Sequence, residues 1–167
     1  MAMKKILLLI GIVLTLVVYT NGIQAQTTQP KLDQIELMKQ ALGTWQRDVG
    51  KDSIQIAEIQ QYRNAFTEDV FLVVNGKKTM VNIWNIGYSS KDDKFKAFSL
   101  RPSGNYSTFI CSFVSKNKCV GHRVQDFNPE KVLGKFELIY ETPTNFMVNW
   151  FNSEGVKTGE EKWTKVN

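Results

Sequence analysis

From Thr44 to Val166 the chain reads as a succession of short segments in which apolar and polar residues alternate, each cut off by a tight-turn signature. Alternation of this kind puts successive side chains on opposite faces of a strand. The strands expected are Thr44 to Asp48, Ile54 to Arg63, Val70 to Val74, Met80 to Ser89, Phe95 to Arg101, Tyr106 to Ser115, Cys119 to Phe127, Lys135 to Glu141, Phe146 to Phe151 and Glu160 to Val166. The punctuation includes Asn75-Gly76, a strong hairpin signal, Pro102-Ser103-Gly104-Asn105, Thr142-Pro143-Thr144-Asn145 and Asn152-Ser153-Glu154-Gly155. A break is expected at Asn128-Pro129-Glu130. Close spacing and tight turns imply an antiparallel meander, whose edges must be hidden. Closure hides them, so the fold class expected is all-β, an up-and-down barrel of about 8 to 10 strands with one short N-terminal helix.

The helix is expected over Lys31 to Leu42. Leu32, Ile35, Leu37, Met38, Ala41 and Leu42 largely follow a helical stripe, and Gly43 supplies the stop. Before it the chain changes character. Lys4 and Lys5 precede an apolar run from Ile6 to Val18, broken only by Gly11 and Thr15, and Ala25 offers a small residue for cleavage. That layout is a secretory signal peptide over 1–25, too short for the roughly 20 apolar residues of a membrane span. Residues 26–30 form a polar leader, and 31–167 form a single barrel domain. The expected location is therefore exported, periplasmic or secreted, with no stable membrane insertion after cleavage.

The signal holds two lysines and no acid, so the remainder carries 19 basic and 16 acidic residues, a net +3. That balance has no basic block to track phosphates, and no nucleic-acid partner is expected. Cys111 and Cys119 remain, and an exported chain can keep a disulfide. A loop centred on Ser115 would set the two directly opposite each other. A Lys116-Asn117 loop would instead pair Val114 with Cys119.

Leu42-Gly43-Thr44-Trp45 after a short helix resembles the Gly-x-Trp opening of the lipocalin and calycin barrels. In that superfamily the tryptophan plugs the barrel floor under a basic residue of the last strand. The resemblance implies that role for Trp45 under Lys162 or Lys165, with lysine where the family has arginine. Ile86-Gly87-Tyr88-Ser89-Ser90-Lys91-Asp92-Asp93-Lys94-Phe95, with the aromatic stretch from Phe136 to Phe151, looks like the bacterial DUF1579-like proteins, which are similar to lipocalins. This second resemblance implies a calycin-like barrel and transfers no catalytic residue.

If the barrel closes, one face of each strand looks inward. Trp84, Tyr88, Phe98, Phe109, Phe113, Tyr140 and Trp150 are the candidates to line a ligand cavity, or else to fill the core. Arg101, ending a strand before Pro102, is a candidate to meet a ligand carboxylate at the mouth. The partner expected is a small hydrophobic or aromatic molecule. His122 is the single histidine, three residues from Cys119, and that odd spacing sends the two side chains to opposite strand faces. No metal site, haem or other cofactor is expected from it. A catalytic alternative, of isomerase or hydrolase type, needs an inward titratable group, for which Glu58, Glu137 and His122 are the candidates. A surface-acting envelope protein with a filled core is the remaining alternative.

Overall fold

A computed structural model describes residues 31–166. The expected signal peptide (1–25) and polar leader (26–30) lie outside the described residues. Ten antiparallel strands close into a barrel in sequential order, the first returning to the last. They are β1 (Gly43–Gly50), β2 (Ser53–Tyr62), β3 (Ala65–Val74), β4 (Lys77–Ser89), β5 (Lys94–Leu100), β6 (Tyr106–Ser115), β7 (Lys118–Gln125), β8 (Asn128–Thr142), β9 (Asn145–Phe151) and β10 (Lys157–Val166). The all-β meander read from the sequence is this barrel, and its architecture is consistent with a calycin-like fold.

Several boundaries differ from expectation. Strand β3 begins at Ala65, five residues before Val70, and so takes in Glu68. The turn after β7 falls on Asp126 and Phe127, both left-handed (φ 48° and 58°), and Asn128-Pro129-Glu130 is already strand. Asn75-Gly76 makes the expected hairpin, with φ of 49° and 76°. The helix is shorter than the three-turn stripe suggested. Helix α1 spans Gln34–Met38, capped by Asp33 accepting from the Glu36 amide, and a single 3₁₀ turn, Lys39–Ala41, follows.

Gln34 is the buried member of α1, not one of its apolar neighbours. Its amide donates to the Phe113 carbonyl (3.1 Å) and accepts from the Phe113 N–H (2.7 Å). Gln40 reaches the Lys116 carbonyl nearby (2.9 Å). These bonds fasten the helix beside the β6–β7 turn, at the end of the barrel where β1 starts.

Trp45 seals that end. It is fully buried, its Nε1 donates to the Ala41 carbonyl (2.7 Å), and its ring meets Phe146 edge-on at 4.6 Å. Of the two lysines implied, Lys165 is the one over it, with Nζ 5.1 Å from the ring centroid. Lys162 points outward to Glu160. Gly43, at φ 113°, keeps a left-handed conformation that other residues resist, and a Cβ there would lie 3.0 Å from the Lys165 chain. Phe113 and Tyr140 stack beside Trp45, and Phe146 stacks on Trp163.

Candidate functional site

The register decides what faces inward. Trp45 pairs with Ala57, Ala57 with Val70, Phe66 with Ile86, Ile86 with Ala97 and Ala97 with Phe109. Cys111 pairs with Gly121, Gly121 with Phe136, Phe136 with Trp150, Val148 with Glu161 and Phe146 with Trp163. The inner wall therefore carries Glu68 between Ile59 and Trp84. It also carries Glu161 between Val148 and the open side of β1.

The two ends of the interior differ. Around Trp45, the inward side chains Phe66, Phe95, Phe113, Tyr140, Phe146 and Trp163 are all buried. Towards the other end, Trp84, Phe136, Leu138 and Trp150 face inward yet stay partly accessible. There the rings gather in one cluster. Trp84 lies 4.8 Å from Phe109, Phe109 6.0 Å from Phe136 and 6.4 Å from Trp150, and Phe136 5.6 Å from Trp150. Gly121 permits this arrangement. A Cβ at Gly121 would stand 2.2 Å from the Phe136 ring and 2.7 Å from the Cys111 Cβ.

Polar groups enter this half from three sides. Arg47 Nη2 lies 3.3 Å from Glu161, its Nε donates to Gln55 (2.8 Å), and its guanidinium sits 5.2 Å over the Trp163 ring. The second Glu161 oxygen accepts from Trp163 Nε1 (3.2 Å). Ser99 donates to Asn82 (2.9 Å). Glu68 differs: no hydrogen bond or ion pair reaches its carboxyl from the described residues. It lies deep among protein atoms, though the residue as a whole keeps some accessible surface. Burial above all, then the charge of Glu161, then Asp69, pushes its pKa from 4.5 up to about 7. Two inward donors are also left over. The Tyr140 hydroxyl and Trp150 Nε1 are buried without a partner among the described residues. Burial first, then Cys119, then Glu68 holds the Tyr140 phenol well above its ordinary value.

The wall is thinnest between β1 and β10. These strands share three registered pairs, Thr44 with Val166, Trp45 with Lys165 and Gln46 with Thr164, against six to ten in every other ladder. Beyond Gln46 the pairing stops, and a polar pocket of about 310 Å³ occupies the seam. Gln46, Arg47 and Asp48 bound it on one side, Glu160, Glu161 and Lys162 on the other. The Arg47–Glu161 pair spans this gap.

The residues singled out from the sequence divide accordingly. Trp84, Phe109 and Trp150 come together in the accessible half. Phe113 and Tyr140 belong to the floor packing. Tyr88 faces inward against Phe95 at 5.5 Å, near the closed end, and its hydroxyl donates to Asp93 (2.6 Å), which raises its pKa. Phe98 does not join the lining. It alternates with inward Ala97 and Ser99, so it faces out and stacks on Tyr106 at 5.5 Å. Arg101 is exposed in the turn at the open end, its N–H donating to the Asn105 carbonyl. The three catalytic candidates all miss the interior. Glu58 pairs with Lys78, Glu137 with Lys118 and Lys135, and His122 is exposed, opposite Lys135 in the register. Bonds from Lys118 and then Lys135 hold the Glu137 carboxyl below its ordinary pKa.

Neither sequence reading of the cysteines describes the hairpin. Lys116-Asn117 is the turn, but a bulge at Val114 pairs Phe113 with Cys119. Cys111 and Cys119 therefore sit diagonally on the inner face as free thiols, and contact with Cys111 together with burial pushes the Cys119 thiol well up. Among the described residues, no group of three or more His, Cys, Asp or Glu side chains is placed to hold a metal. No protein-family model matches this chain, and no curated protein matches it.

Proposed function

We propose that this is an exported, lipocalin-like protein that binds a small, mostly apolar molecule in its barrel, and that it is similar in kind to the DUF1579-like proteins. One observation carries the reading. Trp84, Phe136, Leu138 and Trp150 turn inward and keep accessible surface, while the inward side chains at the other end are packed shut. An apolar wall that stays wet in the free protein gains by being covered, at roughly 25 cal/mol for each Å² removed from water. Export rests on the layout of residues 1–25, with Lys4, Lys5 and the run from Ile6 to Val18.

Native mass spectrometry of the protein purified from its own host tests this. The expected result is a co-purifying small molecule. A bare mass, persisting after challenge with fatty acids and aromatic compounds, contradicts it.

Catalysis in the same cavity is the second reading, and Glu68 is what favours it. A carboxyl inside the barrel whose pKa is pushed to about 7 can both take and give a proton near neutral pH. On this reading Glu68 replaces Glu58, Glu137 and His122 as the group to substitute.

A further inference from the structure

We propose that the barrel's ligand carries a cationic nitrogen, as a protonated amine on an apolar or aromatic body, and presents it to Glu68 on the inner wall. This names the ligand class of the site already described and rests on the reading that the barrel binds a small molecule.

Among the described residues, the charged side chains that reach the interior or its floor include Arg47, Glu68, Glu161 and Lys165. Arg47 and Glu161 hold each other, Arg47 Nε also donates to Gln55 and Glu161 also accepts from the Trp163 indole N–H. Lys165 lies at the floor, over the face of Trp45. Glu68 is left with no hydrogen-bond or ion-pair partner among the described residues. An unpaired carboxylate in an apolar enclosure is costly, and a cation delivered to it removes that cost.

The Tyr140 residue is only 5% exposed, and its hydroxyl has no partner among the described residues. It lies close enough for the Glu68 charge to act on it. Its oxygen can accept an N–H that Glu68 does not. Trp84 is paired with Glu68 in the register, and Trp84 and Trp150 both lie against the Phe109 ring. Indole faces attract cations through the ring quadrupole, and aromatic walls beside a carboxylate suit an alkylammonium group.

The same charges disfavour a carboxylate ligand. It would face Glu68 and Glu161, with Arg47 already engaged and Arg101 out in the turn at the open end. The groups that could shift the balance are Arg47 from β1, Glu161 from β10, Tyr140 from β8 and Cys119 from β7. Of the cations of the wall and floor named above, Arg47 is paired with Glu161 and Lys165 lies over the Trp45 ring.

Isothermal titration of the protein with decylamine, decanol and decanoate, at about pH 8 where an alkylamine is still protonated, separates the possibilities. Decylamine is expected to bind about 10-fold or more tighter than decanol, and decanoate more weakly than either. Glu68→Gln is expected to bring decylamine down to about the affinity of decanol. Decanol binding with decylamine no tighter overturns this inference and leaves the cavity reading standing. A decylamine preference that survives Glu68→Gln overturns the assignment to Glu68. Failure of all three to bind overturns the cavity reading along with it. The comparison of amine with alcohol in the unaltered protein needs no variant, so a poorly folding Glu68→Gln would not blunt it.

Discussion

The two ends of this barrel are made of the same material and used differently. The end beneath α1 holds Trp45, Phe146, Trp163, Phe113 and Tyr140 in mutual ring contact, all buried. The end beyond it holds Trp84, Phe109, Phe136 and Trp150, also in ring contact, but most with accessible faces. Size and hydrophobicity do not distinguish the sets. What differs is the cover. The closed end has a helix pinned by Gln34 and a lysine over its central tryptophan, and among the described residues the open end has neither. Aromatic residues in a small barrel are thus core where something caps them, and wall where nothing does.

Substitutions sharpen that contrast. Trp45→Ala should cost about 3 to 5 kcal/mol, because it empties a fully packed site. Trp150→Ala should cost about half as much or less, since part of its surface is already wet. Urea unfolding of the two variants measures both, and equal losses would mean the open half is packed like the floor.

Glu68→Gln should act in the opposite direction. The folded-state pKa of Glu68, about 7, lies above its ordinary 4.5. The unfolded chain therefore loses this proton first, and folding is favoured fully below about pH 4.5 and loses that advantage as the pH rises through about 7. Relative to the native protein, Glu68→Gln should be more stable by up to about 3 kcal/mol at pH 8 and nearly equal at pH 4. A gain independent of pH would show that the charge of Glu68 is not the cause.

Gln34→Ala strips the helix of its two bonds to Phe113 and leaves that peptide unsatisfied beneath it, at a cost of about 1 to 3 kcal/mol. Faster amide exchange of Phe113 should accompany the loss. An unchanged exchange rate would mean the helix is not what seals this end. Glu137→Gln should be the smallest of the effects. Its partners Lys118 and Lys135 are on the outer surface, so about 1 kcal/mol or less is expected. Because the Glu137 pKa is depressed, that contribution is present above its unfolded value and is lost as the pH falls through the folded one.

The closed end was the legible part of the sequence. A helical stripe, a glycine stop and a tryptophan on the first strand carry local signals, and the resemblance to lipocalin openings pointed to the lysine pair that includes Lys165. The open end was legible only in its aromatic residues. Glu68 escaped notice because the expected strand began only at Val70, and because both faces of β3 are partly apolar, with Phe66, Val70 and Leu72 on one and Phe71 and Val73 on the other. Pairing with Ile59 and Trp84 sets its direction, and such tertiary register is not written in a single segment. Phe98 misled for a related reason. Its ring outweighs Ala97 and Ser99 in any hydrophobic reading, yet those small residues occupy the inner wall. The β1–β10 seam had no local signal, because the two strands lie at opposite ends of the chain.

The four tryptophans offer the most direct test of the contrast between the ends. Their indole N–H signals can be followed by NMR while decanol is added to the protein. The account predicts that the Trp84 and Trp150 signals shift and saturate together while Trp45, bonded to Ala41 beneath the floor, stays in place. A shift of Trp45 with Trp84 and Trp150 unmoved would contradict it, as would four unchanged signals.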